Sequence, residues 1–245
     1  MNLKFASIVT SSREEYPPYL TDLMYLGGCP LRCGYCYVPE LLTTTSCGEK
    51  SVESLASYFI QKNTVAVSFK GGEPFTQGNA LLDLFQRLKA KGIRTKAETA
   101  GFFPESVRAA LPFLDYLSID VKTKLDEKAY GDLTRSKGDV TLMQLLKTLA
   151  FVETTHYPVF KEFRLTVVPG WNDTPDVVEN LVSYIRKFCD LFILQQFQPH
   201  FRLTDPAFEV IPETSREKLA EMAMVARNLV PNVAIRTQKG IQFIQ

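Results

Sequence analysis

Several features are scarce in this sequence, and each scarcity excludes something. There is no uninterrupted apolar run of about 18 residues, the length that reads as a membrane-crossing helix. There is no excess of charge: 28 Lys and Arg stand against 27 Asp and Glu, a net of +1. Duplex-binding proteins usually show a basic face. Here the cations are spread along the chain, so the balance points to neither nucleic acid nor an acidic membrane surface. Residues 1–18 lack the long apolar stretch of a signal peptide, because Arg13, Glu14 and Glu15 follow a short one directly. A cytoplasmic location is the default expectation. No linker, low-complexity tract or fixed-period repeat interrupts the chain, so residues 1–245 read as one domain. Histidine is limited to His156 and His200, and Trp171 is the only tryptophan.

What is present is ordinary globular material. The chain has 245 residues, 45% of them hydrophobic and 22% charged. A chain of this size can bury a core without disulfides or a structural metal. Its five cysteines are an odd number, and three of them lie between positions 29 and 36. In a cytoplasmic chain that clustering favours metal binding over disulfides.

Apolar strand-like runs at 21–26, 65–69, 94–98, 116–120, 163–168 and 191–197 alternate with amphipathic segments. Residues 79–91 carry Leu81, Leu84, Phe85 and Leu88 at helical spacing. Segments 51–62, 104–111, 140–152 and 175–188 read the same way, and a late helix over 215–229 precedes a short run at 233–236. Six alternations predict a parallel sheet with right-handed crossovers and helices outside. Six units are too few for the closed eight-stranded barrel. The expected fold is therefore α/β, an open partial (β/α)6 TIM-like barrel. Its core spans about 20–200, followed by a C-terminal helix and strand within 201–245.

The first predicted strand runs into GGCPLRCGYCYVP, which spaces Cys29, Cys33 and Cys36 as Cys-x3-Cys-x2-Cys. Thiolates so close in sequence can converge on one soft metal centre. Gly27, Gly28 and Gly34 permit a tight backbone path. An iron–sulfur cluster normally takes four cysteines, and the remaining Cys47 and Cys189 lie in unrelated contexts. Three ligands leave one position open, as catalytic metal sites do. The alternatives are a structural zinc site, which needs a fourth ligand that only the distant His156 or His200 offers, or three merely buried thiols. Gly, Pro and Arg between the cysteines suit a loop better than a core.

The motif CxxxCxxC, with Tyr35 before its last cysteine, resembles that of the radical S-adenosylmethionine superfamily. The resemblance implies a [4Fe–4S] cluster on Cys29, Cys33 and Cys36, with S-adenosylmethionine on the open iron. Reductive cleavage of the sulfonium would then yield a 5′-deoxyadenosyl radical. Other cofactor contacts should gather at the C-terminal strand ends. The predicted strands deliver Gly71-Gly72-Glu73-Pro74, Glu98-Thr99, Asp120-Val121-Lys122, Arg164 and His200 to that side.

Gly71-Gly72-Glu73-Pro74 looks like the family's GGEP motif. Its glycines are expected to let the backbone approach the methionine end, with backbone carbonyls or Glu73 accepting from the ammonium. Glu98, Asp120 and Lys122 resemble polar positions around the methionine moiety in activases of glycyl radical enzymes. That resemblance also puts Glu98, Thr99 and Asp120 near a monovalent cation. Arg164 could pair with the methionine carboxylate, His200 matches a position near the ribose or adenine, and Tyr35 should pack against the adenine. Each also has a plain structural reading, as a turn, a strand end or a core aromatic.

The run VVPGWND resembles a stretch of pyruvate formate-lyase activating enzymes and of anaerobic ribonucleotide reductase activating proteins. The likeness spans Leu23 to about His200. It implies a glycyl radical enzyme as partner, the anaerobic ribonucleotide reductase type favoured, and flavodoxin or ferredoxin as electron donor. Two departures stand out: Tyr37 replaces a common histidine, and Glu98 stands where aspartate is more usual. Small-molecule radical chemistry of the 7-carboxy-7-deazaguanine synthase kind and a non-enzymatic zinc module are the alternatives. The first test follows from the cysteine spacing. Cys33→Ala is expected to lose its iron and all turnover after anaerobic reconstitution; normal iron content in that variant would refute the ligand assignment.

Overall fold

The structure is a computed structural model that describes residues 1–199 and 202–244. The chain opens with β1 (Asn2–Ser12), which turns back along β2 (Thr21–Leu26), and β3 (Gly48–Ser51) pairs with the far side of β1. Then come α1 (Val52–Gln61), β4 (Ala66–Gly71), α2 (Gly78–Lys89), β5 (Arg94–Thr99), α3 (Pro104–Ala110) and β6 (Tyr116–Asp120). Two helices, α4 (Glu127–Thr134) and α5 (Gly138–Thr154), precede β7 (Phe160–Val167). The chain continues through α6 (Pro175–Ile185), β8 (Leu191–Gln196), α7 (Arg216–Arg227), β9 (Val233–Thr237) and β10 (Gly240–Ile244). All ten strands join in one sheet, ordered β10-β9-β8-β7-β6-β5-β4-β2-β1-β3.

The sheet does not close on itself, as expected of a partial barrel. The six expected parallel strands are present, and the C-terminal strand adds a seventh. Pairing is parallel from β2 through β4, β5, β6, β7 and β8 to β9. The short C-terminal run, with α7 before it, is a seventh β/α unit. The strand β1 escaped the sequence reading because only Leu3 of its eleven residues is buried. A strand with so little burial carries a weak alternation signal.

Local sequence explains the helices. The Ser51 hydroxyl accepts from the Ser54 amide at the start of α1, and the Ser215 hydroxyl accepts from the Lys218 amide at the start of α7. Val52, Leu55, Ala56 and Phe59 then bury one stripe of α1. Strand residues alternate between two environments. Val67, Phe69, Ala97, Leu117, Ile119, Phe163, Leu165, Phe192 and Leu194 face the helices in one apolar core. The alternate positions are largely polar: Ser68 and Lys70 of β4, Lys96 and Glu98 of β5, Ser118 of β6, Glu162 and Arg164 of β7, all buried.

The segment between β1 and β2 straps the inside of this half-open barrel. The Glu15 carbonyl accepts from Lys96 Nζ at 2.6 Å, and the Glu14 carbonyl accepts from Arg236 of β9 at 3.1 Å. The Tyr16 ring meets Tyr116 edge-on at 5.2 Å. The strap thus links β5 and β6 to β9.

The outer core generates a stability prediction. Phe85 is fully buried, 5.0 Å from the Phe69 ring and 6.4 Å from Phe75. Phe85→Ala should lower the free energy of unfolding by about 3–5 kcal/mol, read from urea denaturation. A loss near zero would mean that α2 does not carry the packing described.

Candidate active site

The three cysteines sit on a loop with no regular structure of its own, yet the loop is fixed from several directions. The Gly28 and Cys29 amides donate to the Leu41 and Leu42 carbonyls, at 2.8 and 3.2 Å. The Arg32 amide donates to the Thr134 carbonyl at the end of α4, and the Arg32 guanidinium donates to the Cys29 carbonyl at 2.7 Å. From outside, the Asp205 and Thr204 amides each donate at 3.0 Å, to the Gly34 and Cys36 carbonyls. Phe208 presses on Gly34 so closely that a Cβ there would lie 2.3 Å from its ring.

Gly71 and Gly72 complete this clamp. A Cβ on Gly72 would lie 2.4 Å from the Gly28 carbonyl, and one on Gly71 would lie 2.5 Å from the Leu26 carbonyl. Gly71 also has φ +124°, a conformation that favours glycine. The space the glycines leave is thus filled by the backbone of the cysteine loop and β2. Both glycines still line the adjoining cavity.

That cavity, about 630 Å³, opens at the C-terminal ends of the strands. Cys29, Cys33 and Cys36 line it together with Tyr35, Gly71, Gly72, Glu98, Asp120, Lys122 and Arg164. Cys47 and Cys189 do not. The Cys29 thiol is pushed up to about 12 by burial and by Glu73, and burial pushes Cys33 up to about 11. Both are neutral thiols until a metal centre displaces their protons. Among the described residues, no three His, Cys, Asp or Glu side chains are grouped as ligands of a single metal ion.

Behind the thiols lies a compact charge network. Arg164 Nε donates to Asp120 Oδ1 at 2.8 Å, and its Nη2 stands 2.8 Å from Glu98 Oε2 and 3.2 Å from the Ser118 hydroxyl. Burial alone would raise both carboxyls. Arg164 overrides it, holding Asp120 below and Glu98 well below the ordinary range. Lys122 Nζ lies 3.4 Å from Asp120 and 6.0 Å from the Tyr35 ring centre. Burial opposes its charge, but Asp120 and the facing Tyr35 and Cys33 leave its pKa well above the usual lysine value. Asn172, of the VVPGWND run, donates to the Lys122 and Thr166 carbonyls at 2.7 and 2.9 Å, and its Oδ1 accepts from the Val168 amide. That asparagine fixes the loop bearing Lys122, while Trp171 is 44% exposed and stacks on Phe208.

One sequence expectation needs correction. Glu73 does not line the cavity. Its buried carboxylate accepts from Thr99 Oγ1 at 2.9 Å, from the Ala100 amide at 2.7 Å and from the Phe75 amide at 3.2 Å. It therefore ties the end of β4 to the end of β5. The Arg164 guanidinium stands between the Glu98 and Asp120 carboxylates, and Thr99 Oγ1 donates to Glu73. Lys70, which the sequence analysis did not single out, also lines the cavity, 2.9 Å from Glu15 Oε1. The alternation of Ser68 and Lys70 along β4 carried that signal. His200 lies outside the described residues.

Arg13, Glu15, Gln195, Gln198 and Arg236 also line the cavity and were not anticipated. They arrive from the strap and the last strands, and no local motif marks them. Three buried oxygens of cavity-lining residues, Glu15 Oε2, Tyr35 Oη and Glu98 Oε1, have no hydrogen-bond partner among the described residues. Buried polar atoms are rarely left so, and in a cavity wall they indicate a ligand.

The fold and site together define a β/α-barrel protein built to hold a thiol-ligated centre beside a polar cavity. The profile of the radical SAM superfamily matches residues 23–182. The chain belongs to that superfamily, whose enzymes generate radicals and whose membership implies a [4Fe–4S] cluster and S-adenosylmethionine. It is 29% identical over 242 residues, 98% of each chain, to a candidate glycyl-radical enzyme activating enzyme of Methanocaldococcus jannaschii. It is 27% identical over 175 residues to the pyruvate formate-lyase-activating enzyme of Clostridium pasteurianum, covering 69% of this chain and 71% of that one. In fold it is similar to a radical SAM methyltransferase of Sphaerobacter thermophilus, with a TM-score of 0.70 at 15% identity, over 92% of this chain and 68% of that one.

Glu73 gives a pH prediction. Burial lifts its carboxyl from 4.5 to about 7, against the pull of its three donors. Between those values the folded protein keeps a proton that the unfolded chain has released. Stability from this group therefore falls as pH rises from about 4.5 to about 7, by on the order of 3 kcal/mol. Asp120 and Glu98, held low, act oppositely, and their contribution is lost only as pH falls below the ordinary carboxylate range. Urea midpoints of the metal-free protein and of Glu73→Gln should diverge in this sense across pH 5–7; parallel profiles would refute the assignment.

Proposed function

We propose that the protein is an activase of a glycyl radical enzyme. The observation that carries this reading is the meeting of three pinned cysteines and a set of fixed charges in one cavity roomy enough for a substrate segment. Similarity to activating enzymes over nearly the whole chain supports it. When bound on Cys29, Cys33 and Cys36, a [4Fe–4S] cluster with S-adenosylmethionine supplies a 5′-deoxyadenosyl radical for abstraction of a hydrogen atom from a glycine.

The chain's own residues do the positioning. Gly71 and Gly72 hold their backbone against the cysteine loop and offer carbonyls to the methionine ammonium. Lys122, kept cationic, stands beside the thiols and offsets the charge of an anionic centre. Arg164 fixes Glu98 and Asp120 in one orientation and is placed to attract the methionine carboxylate. The Tyr35 hydroxyl is left to meet the ligand, and its ring gives the adenine a face to pack on. Leu31, Val38, Leu42 and Phe197 line the same space and exclude water from it.

In this reading the partner is a large glycyl radical enzyme, with the anaerobic ribonucleotide reductase type favoured. The electron donor is a flavodoxin or ferredoxin, and the setting is cytoplasmic. Anaerobic reconstitution should give a broad charge-transfer absorbance, reduction should release 5′-deoxyadenosine, and added anaerobic reductase should acquire a glycyl radical doublet by EPR. Deoxyadenosine without any doublet, with a pterin consumed instead, would favour deazaguanine-type chemistry. A colourless zinc protein would overturn both.

A further inference from the structure

The superfamily match spans residues 23–182, but the cavity wall does not end there. The strap between β1 and β2 contributes Arg13, Glu14 and Glu15, and the last strands contribute Gln195 and Arg236. The matched region carries the cysteines and the glycine pair. The remainder of the wall is therefore where a substrate can be distinguished from others.

Where the strap meets the matched strands, one arrangement is incomplete. Lys70 Nζ is 2.9 Å from Glu15 Oε1 and 3.6 Å from Glu98 Oε1. Glu15 Oε2 and Glu98 Oε1 are both buried, and neither has a hydrogen-bond partner among the described residues. Glu98 is locked in place through its other oxygen by Arg164 at 2.8 Å. The Glu15 backbone is fixed by Lys96, whose Nζ donates to its carbonyl. Two rigid acceptors thus stand on either side of one lysine at the cavity wall. Ionised carboxylates only accept, and leaving a buried acceptor unmade is costly. The missing partners are hydrogen-bond donors, such as the N–H groups of a peptide backbone.

We propose that Glu15 and Glu98 form the acceptor end of the substrate site, taking N–H groups of the peptide segment that bears the attacked glycine. Glu15, carried on the strap, is the specificity-determining member. This rests on the activase reading and extends it to Glu15, which lies outside the superfamily match. The substitution Glu15→Gln isolates the effect. It keeps an acceptor for Lys70 but turns the free oxygen into a donor that repels a substrate N–H.

The probe is a synthetic peptide spanning the glycine loop of the anaerobic ribonucleotide reductase, deuterated at the glycine Cα, and the readout is deuterated 5′-deoxyadenosine from the reconstituted enzyme. In Glu15→Gln the KM for the peptide should rise roughly tenfold or more, while the KM for S-adenosylmethionine moves less than about threefold. Glu15→Asp, which keeps the charge but shortens the reach, should fall between the two and serves if the glutamine variant does not fold. Peptide KM within threefold of wild type in both variants, or both KM values rising together, would overturn the inference alone. Wild-type enzyme that cleaves S-adenosylmethionine but never takes deuterium from the peptide would overturn the activase reading and this inference with it.

Discussion

The cysteine loop can hold three thiols in place only because other parts of the chain hold the loop. It has no helix or strand of its own. The glycine pair at the end of β4 lets the loop's backbone come within contact distance, and any side chain at Gly72 would push the Gly28 carbonyl away. The end of α4 and the segment around Asp205 add hydrogen bonds from two further directions. A metal centre with one open position needs ligands that do not rearrange when that position is filled. The loop meets that need through tertiary contacts, so its geometry depends on the whole barrel being folded.

The interior of the barrel imposes a second constraint. Lys70, Lys96, Glu98, Glu162 and Arg164 are all buried, and charges taken out of water are expensive unless paired. Here nearly every one has a fixed partner. Glu162, for example, accepts from the Tyr116 and Ser118 hydroxyls at 2.6 Å each. Removing one member of such a set costs on the order of 3–5 kcal/mol because it strands the others. The fold can carry this polar interior because its apolar core lies elsewhere, between the outer face of the sheet and the helices. Separation of the two faces along each strand leaves the cavity free for chemistry.

Much of this was legible in the sequence. The cysteine spacing, the Gly-Gly turn and the polar residues at strand ends are local patterns, and parallel strands bring their C-terminal ends together by topology alone. Cys29, Cys33, Cys36, Tyr35, Gly71, Gly72, Glu98, Asp120, Lys122 and Arg164 all line one cavity. What could not be read depended on direction or on long-range contact. The Glu73 side chain turns toward Thr99 and Ala100 across two strands. Arg164 reaches both Glu98 and Asp120 from a third strand. The strap is written in residues that resemble an ordinary loop, and its role appears only when Glu14 meets Arg236, more than two hundred positions away.

The central claim is that the three cysteines leave one iron of a cluster free for S-adenosylmethionine. Pulsed ENDOR on the reduced, reconstituted protein with S-adenosylmethionine labelled by 15N at its amino group tests this directly. The account predicts a 15N hyperfine coupling that marks direct coordination of that amino group. A spectrum indifferent to the label, in protein with full iron occupancy, would contradict it.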